Sequence, residues 1–569
     1  MIRYQLFALE FKSQNLFQIM CKELTMDPAN RLERDFSTMH FCTRLPLLAG
    51  GLIFLALVFS GCMVGPDFVK PAAPTGSEWL EAQDARVRAE KDDFRQWWAV
   101  FDDAVLAALV EAAYEQNLPL QIAGIRVLEA RAQLGITVGN LYPQVQRGRG
   151  DLSWYGSSDN AFGTAGAESN YSEASLGFDA AWELDVWGRF RRAVESGVAN
   201  FEASIASYDD TLVTLTAEVA RTYVLLRTFE ERLDIASQNV KIQQRSLDIA
   251  QVRFDAGAVT ELDVQQAKSL LRDTEASIPR FQAAVRQAKN ALAILLGKLP
   301  GQIDQMLTGS KLIPRVPAEV VVDVPADLMR RRPDIRLAEY QVATQSALIG
   351  LAKSDLYPSF QLFGSIGLRS ADSNATRDGN SDLGDLLKSD SFEYFAGPGF
   401  TWNLFNYGRI TNRVRVQDAR LQQLVVNYED TVIQAQREVE DSLVGFLRKQ
   451  EEAGFLAQSV AASQRSVDLS MIQYREGLVD YQRVLDTQRS LAQSQDQWTA
   501  ARGDEVINLV SMYKALGGGW QLREGRDYVP ADTMEAMRER TDWGDLMSPG
   551  ELKPVADETA RGKWRLPDW

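Results

Sequence analysis

Histidine and cysteine are almost missing from this sequence. His40 is the sole histidine, and the three cysteines among 569 residues are Cys21, Cys42 and Cys62. All four lie at or before the end of an N-terminal export signal, so a processed chain keeps one cysteine and no histidine. That excludes disulfides, His- or Cys-rich metal sites and His-dependent catalytic triads together. No nucleophile–base pair, phosphate loop or metal-ligand spacing is apparent, and only carboxylate chemistry stays formally open, so no enzyme is expected. Basic excess is also missing. The formal net charge is −16, which argues against nucleic acid, whose phosphates need Lys and Arg, and fits an acidic solvated surface. The apolar fraction of 45% and charged fraction of 24% are ordinary, neither disordered nor those of a helical membrane protein. The length allows several domains or one very elongated one.

What is present begins with the signal. Arg44 supplies a positive n-region, Leu45 to Phe59 form a 15-residue mostly apolar stretch, and the small residues Ser60 and Gly61 precede Cys62. The run is short and wrongly flanked for a membrane span, and reads as a secretory signal; the alternative is an uncleaved anchor helix. Its end resembles a bacterial lipobox, with Phe59 where Leu is more usual. That resemblance implies a lipidated Cys62 as the new N-terminus, and Met63 in place of Asp implies passage to the outer membrane. The 38 residues before Met39 have no signal character, and translation is expected to start near Met39.

An internal repeat organises the remainder. Asn140-Leu141-Tyr142-Pro143 returns as Asp355-Leu356-Tyr357-Pro358, 215 residues on. Trp182 with Gly188-Arg189 returns as Trp402 with Gly408-Arg409, 220 residues on, and Tyr208, Glu218, Gly257 and Gly297 match Tyr428, Glu438, Gly477 and Gly517 at that offset. Each half reads helix, hairpin, very long helix, tight turn, helix. Between Glu173 and Asp185 the even positions are Ala174, Leu176, Phe178, Ala180, Trp182 and Leu184, while Glu173, Asp179 and Glu183 stand at odd ones. This is period-2 alternation. Phe392, Tyr394, Ala396, Pro398, Phe400, Trp402 and Leu404 keep the apolar face in the second half, and Phe360, Leu362, Ile366 and Leu368 share one side of the strand before it. The first strand, Pro143 to Tyr155, fits poorly, because Arg147 and Arg149 fall on its expected apolar face. A half-buried soluble sheet would alternate in the same way, but aromatics near strand ends and long polar loops favour lipid. Four strands cannot close a barrel, since the smallest spanning barrels need about 8, and an open edge in lipid leaves backbone groups unpaired. The barrel must therefore be shared between chains.

The long helices carry a heptad seam. From Val194 to Phe254 apolar residues recur at alternating steps of 4 and 3, broken in character only by Thr222 and Gln243, and Arg409 to Tyr474 repeats the pattern with more polar breaks. About 65 residues of helix span roughly 100 Å. The tight turns between helices are Asp255-Ala256-Gly257-Ala258-Val259 and Arg475-Glu476-Gly477-Leu478-Val479, where glycine permits the positive φ of a reversal.

Several motifs, weak singly, occur in an order that resembles the TolC-like outer-membrane efflux proteins, closest to their lipoprotein branch serving resistance-nodulation-division pumps. They are Cys62-Met63-Val64-Gly65-Pro66-Asp67-Phe68, Trp97-Trp98, Phe101-Asp102-Asp103, Arg332-Pro333-Asp334-Ile335, both Leu-Tyr-Pro turns, Tyr407-Gly408-Arg409, Leu485-Asp486-Thr487-Gln488-Arg489 and Ala515-Leu516-Gly517-Gly518-Gly519-Trp520. The resemblance covers about residues 62 to 520. It implies a mixed α and β fold: a membrane β-barrel shared between three chains, four strands each, above a long α-helical coiled-coil barrel with a small equatorial region. The segments are then an upstream extension with signal peptide (1–61), a lipidated segment with an equatorial helix (62–117), two helix-hairpin-helix repeats (118–310 and 311–520) and a tail (521–569), read by no motif.

The resemblance further implies a homotrimeric duct in the outer membrane reaching into the periplasm. It passes drugs or other small molecules from an inner-membrane pump through a periplasmic adaptor, with no cofactor beyond the covalent lipid. Tip residues Gly257, Ala258, Val259, Gly477, Leu478 and Val479 would meet the adaptor. Asp486 matches a constricting acidic position, and Arg489 one that ties helices together in the closed state. Without the resemblance these two read as a surface ion pair one turn apart. Arg483 stands where some family members carry a second acid, so a second acidic ring is not expected. Type I protein secretion, metal export and a lipid-anchored periplasmic coiled-coil adaptor are the competing readings.

Overall fold

The computed structural model describes residues 63–88, 94–156, 158, 170–309, 312–322, 331–372 and 382–547; Cys62 and the signal lie outside them. A short strand β1 (Val87–Arg88) precedes a 3-10 segment, Phe94–Phe101, and helices α1 (Ala104–Gln116) and α2 (Leu118–Gly139). Asp103 caps α1 by accepting from Val105 and Leu106 N–H. Asn117 closes α1 through its own N–H and opens α2 by accepting from Leu120 N–H at 2.8 Å, so one residue turns the chain between two helices. Strands β2 (Val145–Gly156) and β3 (Asn170–Leu184) follow, then α3 (Arg189–Asp255) and α4 (Glu261–Leu295). After β4 (Val320–Val321), which pairs in parallel with β1, come α5 (Pro333–Ser354), β5 (Ser359–Asp372), β6 (Phe392–Thr401), α6 (Arg409–Arg475), α7 (Tyr481–Ala515) and α8 (Ala531–Arg540). The lengths match in pairs: 22 residues for α2 and α5, 67 for α3 and α6, and 35 for α4 and α7. At about 1.5 Å per residue α3 and α6 each run roughly 100 Å.

The α3 seam marks its buried side. Phe201, Ile205, Tyr208, Leu212, Leu215, Val219, Thr222 and Leu226 are all buried. Phe254, at the last turn, departs from it and is 37% exposed, because the helix ends there and has no further neighbour to cover it.

The motifs scattered through the sequence converge in one core. Trp97 stacks on Tyr513 with centroids 5.5 Å apart and meets Trp98 and Phe101 edge-on. The Gly517–Gly519 run lies against them: a Cβ on Gly518 would sit 3.0 Å from the Phe94 carbonyl oxygen and from Trp97. Arg332 binds Asp334, the Glu438 carboxylate at 2.8 Å and the Ala515 carbonyl at 2.8 Å, joining α5, α6 and the end of α7. The tail that no motif reads is packed as well. Arg523 lies over Trp520 and Tyr528 and pairs with Asp209, which is fully buried. Val529, Met537 and Met547 then cover Leu128 of α2.

Candidate functional site

The four long strands form one antiparallel sheet in the order β2-β3-β5-β6. Directly paired residues project to the same face, so the register sorts the side chains. Phe178 is opposite Gly148 and Ile366, Trp182 opposite Leu362, and Phe360 opposite Phe400. This face is apolar and largely exposed, with Leu176, Phe178, Leu362, Ile366, Tyr394 and Phe400 all open. The other face is ionic. Arg147 reaches Asp179 at 3.4 Å, Arg149 lies 3.6 Å from Asp151, and Arg369 lies 3.2 Å from Glu393 and 3.9 Å from Glu173. This corrects the expectation for the first strand. Arg147 and Arg149 stand opposite Asp179 and Gly177, hence on the polar face. The apolar face of β2 is Gln146, Gly148, Gly150, Leu152 and Trp154, and two glycines leave it without a signal. The sheet is open, with β2 and β6 as edges that have no strand partner among the described residues.

Below the sheet the N-terminal segment is clamped beside it. Met63 lies against Gly188, Val64 N–H donates to the Trp187 carbonyl at 3.1 Å, and fully buried Arg192 donates to the Val64 and Gly65 carbonyls and to Asp67. Gly65 and Gly350 touch through their backbones, where a Cβ on Gly65 would come within 2.3 Å of Gly350 Cα. The segment then runs along α6. Gly76 N–H donates to Gln436, Leu80 N–H to Glu440, and Arg86 donates to Gln450 and the Leu447 carbonyl. Cys62 thus adjoins a residue fixed only a few positions beyond the end of β3. Sequence reasoning singled out residues 62 to 68 as a motif but missed the strap that follows, because Gln436 and Glu440 read as ordinary exposed helix polar residues.

At the far end of the long helices, α3 and α6 close with matching caps. Gly257 and Gly477 have φ of 71° and 75°. Ala258 N–H returns to the Arg253 carbonyl at 2.8 Å, and Leu478 N–H to the Gln473 carbonyl at 2.9 Å, the Schellman pattern that glycine permits. Gly257, Ala258, Gly477 and Leu478 are exposed, Leu478 to 74%. Val259 and Val479 turn inward against Tyr474, Tyr481, Val484, Leu485 and Val264. Arg253 crosses from α3 to lie over the Tyr474 ring and donates to the Tyr474 carbonyl. Burial, with the Asp480 carboxylate adding to it, raises the Asp263 carboxyl above its ordinary value, and Arg253 opposes the shift.

Asp486 and Arg489 both project from the exposed side of α7. The structure does not bring them together. Asp486 accepts from Gln482 Nε2 at 2.8 Å, one turn earlier on the same helix. Among the described residues Arg489 makes no ion pair, and no group of three or more His, Cys, Asp or Glu could hold a metal ion.

The sequence profile of the outer membrane efflux protein family matches residues 109–298 and 324–518. The cation efflux system protein CusC of Escherichia coli O6:H1 is 30% identical over 472 residues, covering 82% of this chain and 98% of that protein. Nodulation protein T of Rhizobium leguminosarum bv. viciae is 28% identical over 483 residues, covering 85% of this chain and 96% of that protein. Among solved structures, the outer-membrane channel OprN superposes with a TM-score of 0.73 at 31% identity, covering 81% of this chain and all of that one. The open state of the Neisseria gonorrhoeae MtrE outer-membrane channel superposes at 0.70 with 26% identity, covering 81% and 99%.

Proposed function

Because the chain belongs to the outer membrane efflux protein family, we infer that it is the outer-membrane duct of a tripartite efflux system, passing small molecules outward without chemical change. The observation that carries this is the open four-stranded sheet, apolar on one exposed face, ionic on the other and, among the described residues, unpaired at both edges. Such a sheet is stable in lipid only when its edges are paired. Three chains would give twelve strands around an aqueous lumen and, below it, twelve helices in a periplasmic tunnel. The paired helix lengths and matched glycine caps support two internal repeats contributing alike to both. A lipid on Cys62 would hold the N-terminus at the membrane, and the clamp on Met63 and Val64 beside the sheet supports that position. The exposed turns at Gly257-Ala258 and Gly477-Leu478 would meet the periplasmic adaptor, which couples the duct to an inner-membrane pump. Asp486 would narrow the closed tip, and Arg489 would find its carboxylate on a neighbouring chain.

Two measurements on the protein purified from membranes test this reading. On gels without heating it should migrate as a trimer that collapses to monomer on boiling, and in planar bilayers it should conduct ions. A monomer without conductance would favour a lipid-anchored periplasmic adaptor instead. Mass spectrometry should find an acylated Cys62 at the N-terminus.

A further inference from the structure

Two large apolar side chains stand on the ionic face of the sheet. The register pairs Phe363 with Ala181 and Gly397, and Phe395 with Ser365, which pairs in turn with Asp179. Both rings therefore project on the side of Asp179 and Arg147. They are diagonal neighbours across β5 and β6, with centroids 5.5 Å apart. They do not cover each other, since Phe363 is 37% and Phe395 59% exposed. The backbone around them is nearly bare. A Cβ on Gly399 would lie 2.7 Å from the Phe363 ring, a Cβ on Gly397 would meet nothing within 4 Å, and Gly177 pairs with Gly367 farther along the same face. No side chain of comparable size on these neighbouring positions shields the ring faces. The charges beyond them are ordered. Arg147, Arg149 and Arg369 share four carboxylates, Asp179, Asp151, Glu173 and Glu393, so negative charge is in excess. By the register, Asp179 stands between Phe395 and Arg147, and Glu393, two residues before Phe395, stands between it and Arg369. The rings thus have carboxylates, not guanidiniums, as their nearest charges. An exposed apolar patch rimmed by polar groups marks a surface built for contact.

We propose that Phe363 and Phe395 form a binding site on the wall of the duct for organic cations that carry a flat aromatic body. The inference deepens the efflux-duct reading and rests on it, because that reading turns the ionic face toward the lumen. The aromatic body lies against the ring pair and removes apolar surface from water on both sides. Its positive charge is attracted by the ring faces and by the Glu393 and Asp179 carboxylates beside them. An anion of the same shape gains the apolar contact but meets the excess of carboxylates. A small cation without a ring gains the charge but has no body to lay on the phenyls. The site is open on its lumen side, so it holds its ligand weakly and releases it readily, which passage through a duct requires. Phe363 and Phe395 are accordingly specificity-determining residues of the barrel wall, distinct from the carboxylates at the helical tip.

Planar-bilayer recordings of the full-length protein test the site. Ethidium, a flat aromatic cation, should reduce the current reversibly. Fluorescein, a flat aromatic anion, and tetramethylammonium, a cation without a ring, should each need at least roughly tenfold more for the same reduction. In the double variant Phe363→Leu with Phe395→Leu the apolar bulk stays and the ring faces go. Half-reduction by ethidium should then need at least roughly fivefold more, while the response to tetramethylammonium does not move. Phe395→Leu alone, at a half-open position on an edge strand, should shift ethidium in the same direction by about twofold, and decides the matter if the double variant does not assemble. Glu393→Gln should weaken the ethidium effect chiefly at low salt. Ethidium acting equally on the parent and on conducting Leu variants overturns the site and leaves the duct reading standing. Fluorescein acting as strongly as ethidium on the parent overturns the preference for cations and the proposal with it. A parent protein that forms no channel overturns the duct reading and the site together.

Discussion

Asp486 and Arg489 stand one helical turn apart on α7, and a neutral amide, not the arginine, takes the carboxylate. Their identities were readable in the sequence; that they do not meet each other was not, because a spacing of one helical turn puts two charges within reach without deciding between them and a neighbour such as Gln482. In a trimer three Asp486 carboxylates would approach the threefold axis and attract cations. Asp486→Ala should then weaken cation selectivity in planar bilayers, and Arg489→Ala should raise the conductance of the closed state. Unchanged recordings in both would reduce the pair to solvated surface charge. Asp210 on α3 was not legible at all, since its environment comes from α5, α6 and α7. Burial, reinforced by the Asp334 and Glu438 carboxylates and opposed by Arg332 and Lys514, pushes its carboxyl up from 3.8 to about 6. The native state thus holds this proton more tightly than the unfolded chain does. Its stabilising contribution is complete below about pH 4 and is lost as pH rises through about 6. Asp210→Asn should therefore gain about 1–2 kcal/mol over the parent near neutral pH, after allowance for partial exposure, and nothing near pH 4. Thermal unfolding at the two pH values checks it, and a gain of equal size at both would remove the titration from the explanation.

At the scale of elements, two kinds of signal were legible for physical reasons. Helix reversals were, because a left-handed cap at a tight turn nearly demands glycine, and Gly257, Gly297, Gly477 and Gly517 all have φ between 64° and 75°. Three strands were, because a two-residue period sorts their side chains. The phase of β2 was lost, since Gly148 and Gly150 occupy its apolar face while Val145 and Tyr155 place apolar groups on the other one. The faces can be tested against each other. Phe178→Arg puts a guanidinium among Ile366 and the other groups of the apolar face and, if that face meets lipid near the midplane, should cost about 2–4 kcal/mol, seen as a loss of the protein from outer membranes. Asp179→Asn frees Arg147 on the ionic face, while Arg149 keeps Asp151, and should assemble normally while shifting ion selectivity toward anions. Normal assembly of Phe178→Arg would mean that the faces are reversed.

For the whole molecule, the sequence made the need for other chains legible through four strands that cannot close. It did not reveal how the two long hairpins of one chain meet. Along the lower part of α3, Arg232, Asn239, Ser246 and Arg253 recur every seven residues and face α7 and the end of α6. Arg232 binds Asp496 through two contacts of 2.7 and 2.8 Å, Glu231 takes Arg502 at 2.6 Å, Asn239 meets Gln495 at 2.9 Å, and Ser246 meets Gln488. By contrast α6 and α7 bury Leu443, Phe446, Val506 and Leu509 in the common core. A polar seam exchanges its hydrogen bonds for water when it parts, whereas an apolar seam exposes hydrocarbon, so the hairpins should stay intact and separate from each other along α3 and α7. Above this stretch α3 and α7 share the common core through Tyr223, Leu226, Val506 and Leu509, and at the tip the small cluster of Tyr474, Tyr481 and Val264 adds an apolar hold across that line. Replacing both members of a buried polar pair by apolar groups of similar size is nearly neutral or stabilising, and here Asn239 is buried and Gln495 half-buried. The double variant Asn239→Leu with Gln495→Leu should accordingly assemble and unfold at the same or a higher temperature. It should also glue the hairpins together, so that conductance in planar bilayers falls. If conductance instead stays at the parent level while the variant remains folded, the hairpins part somewhere other than between α3 and α7.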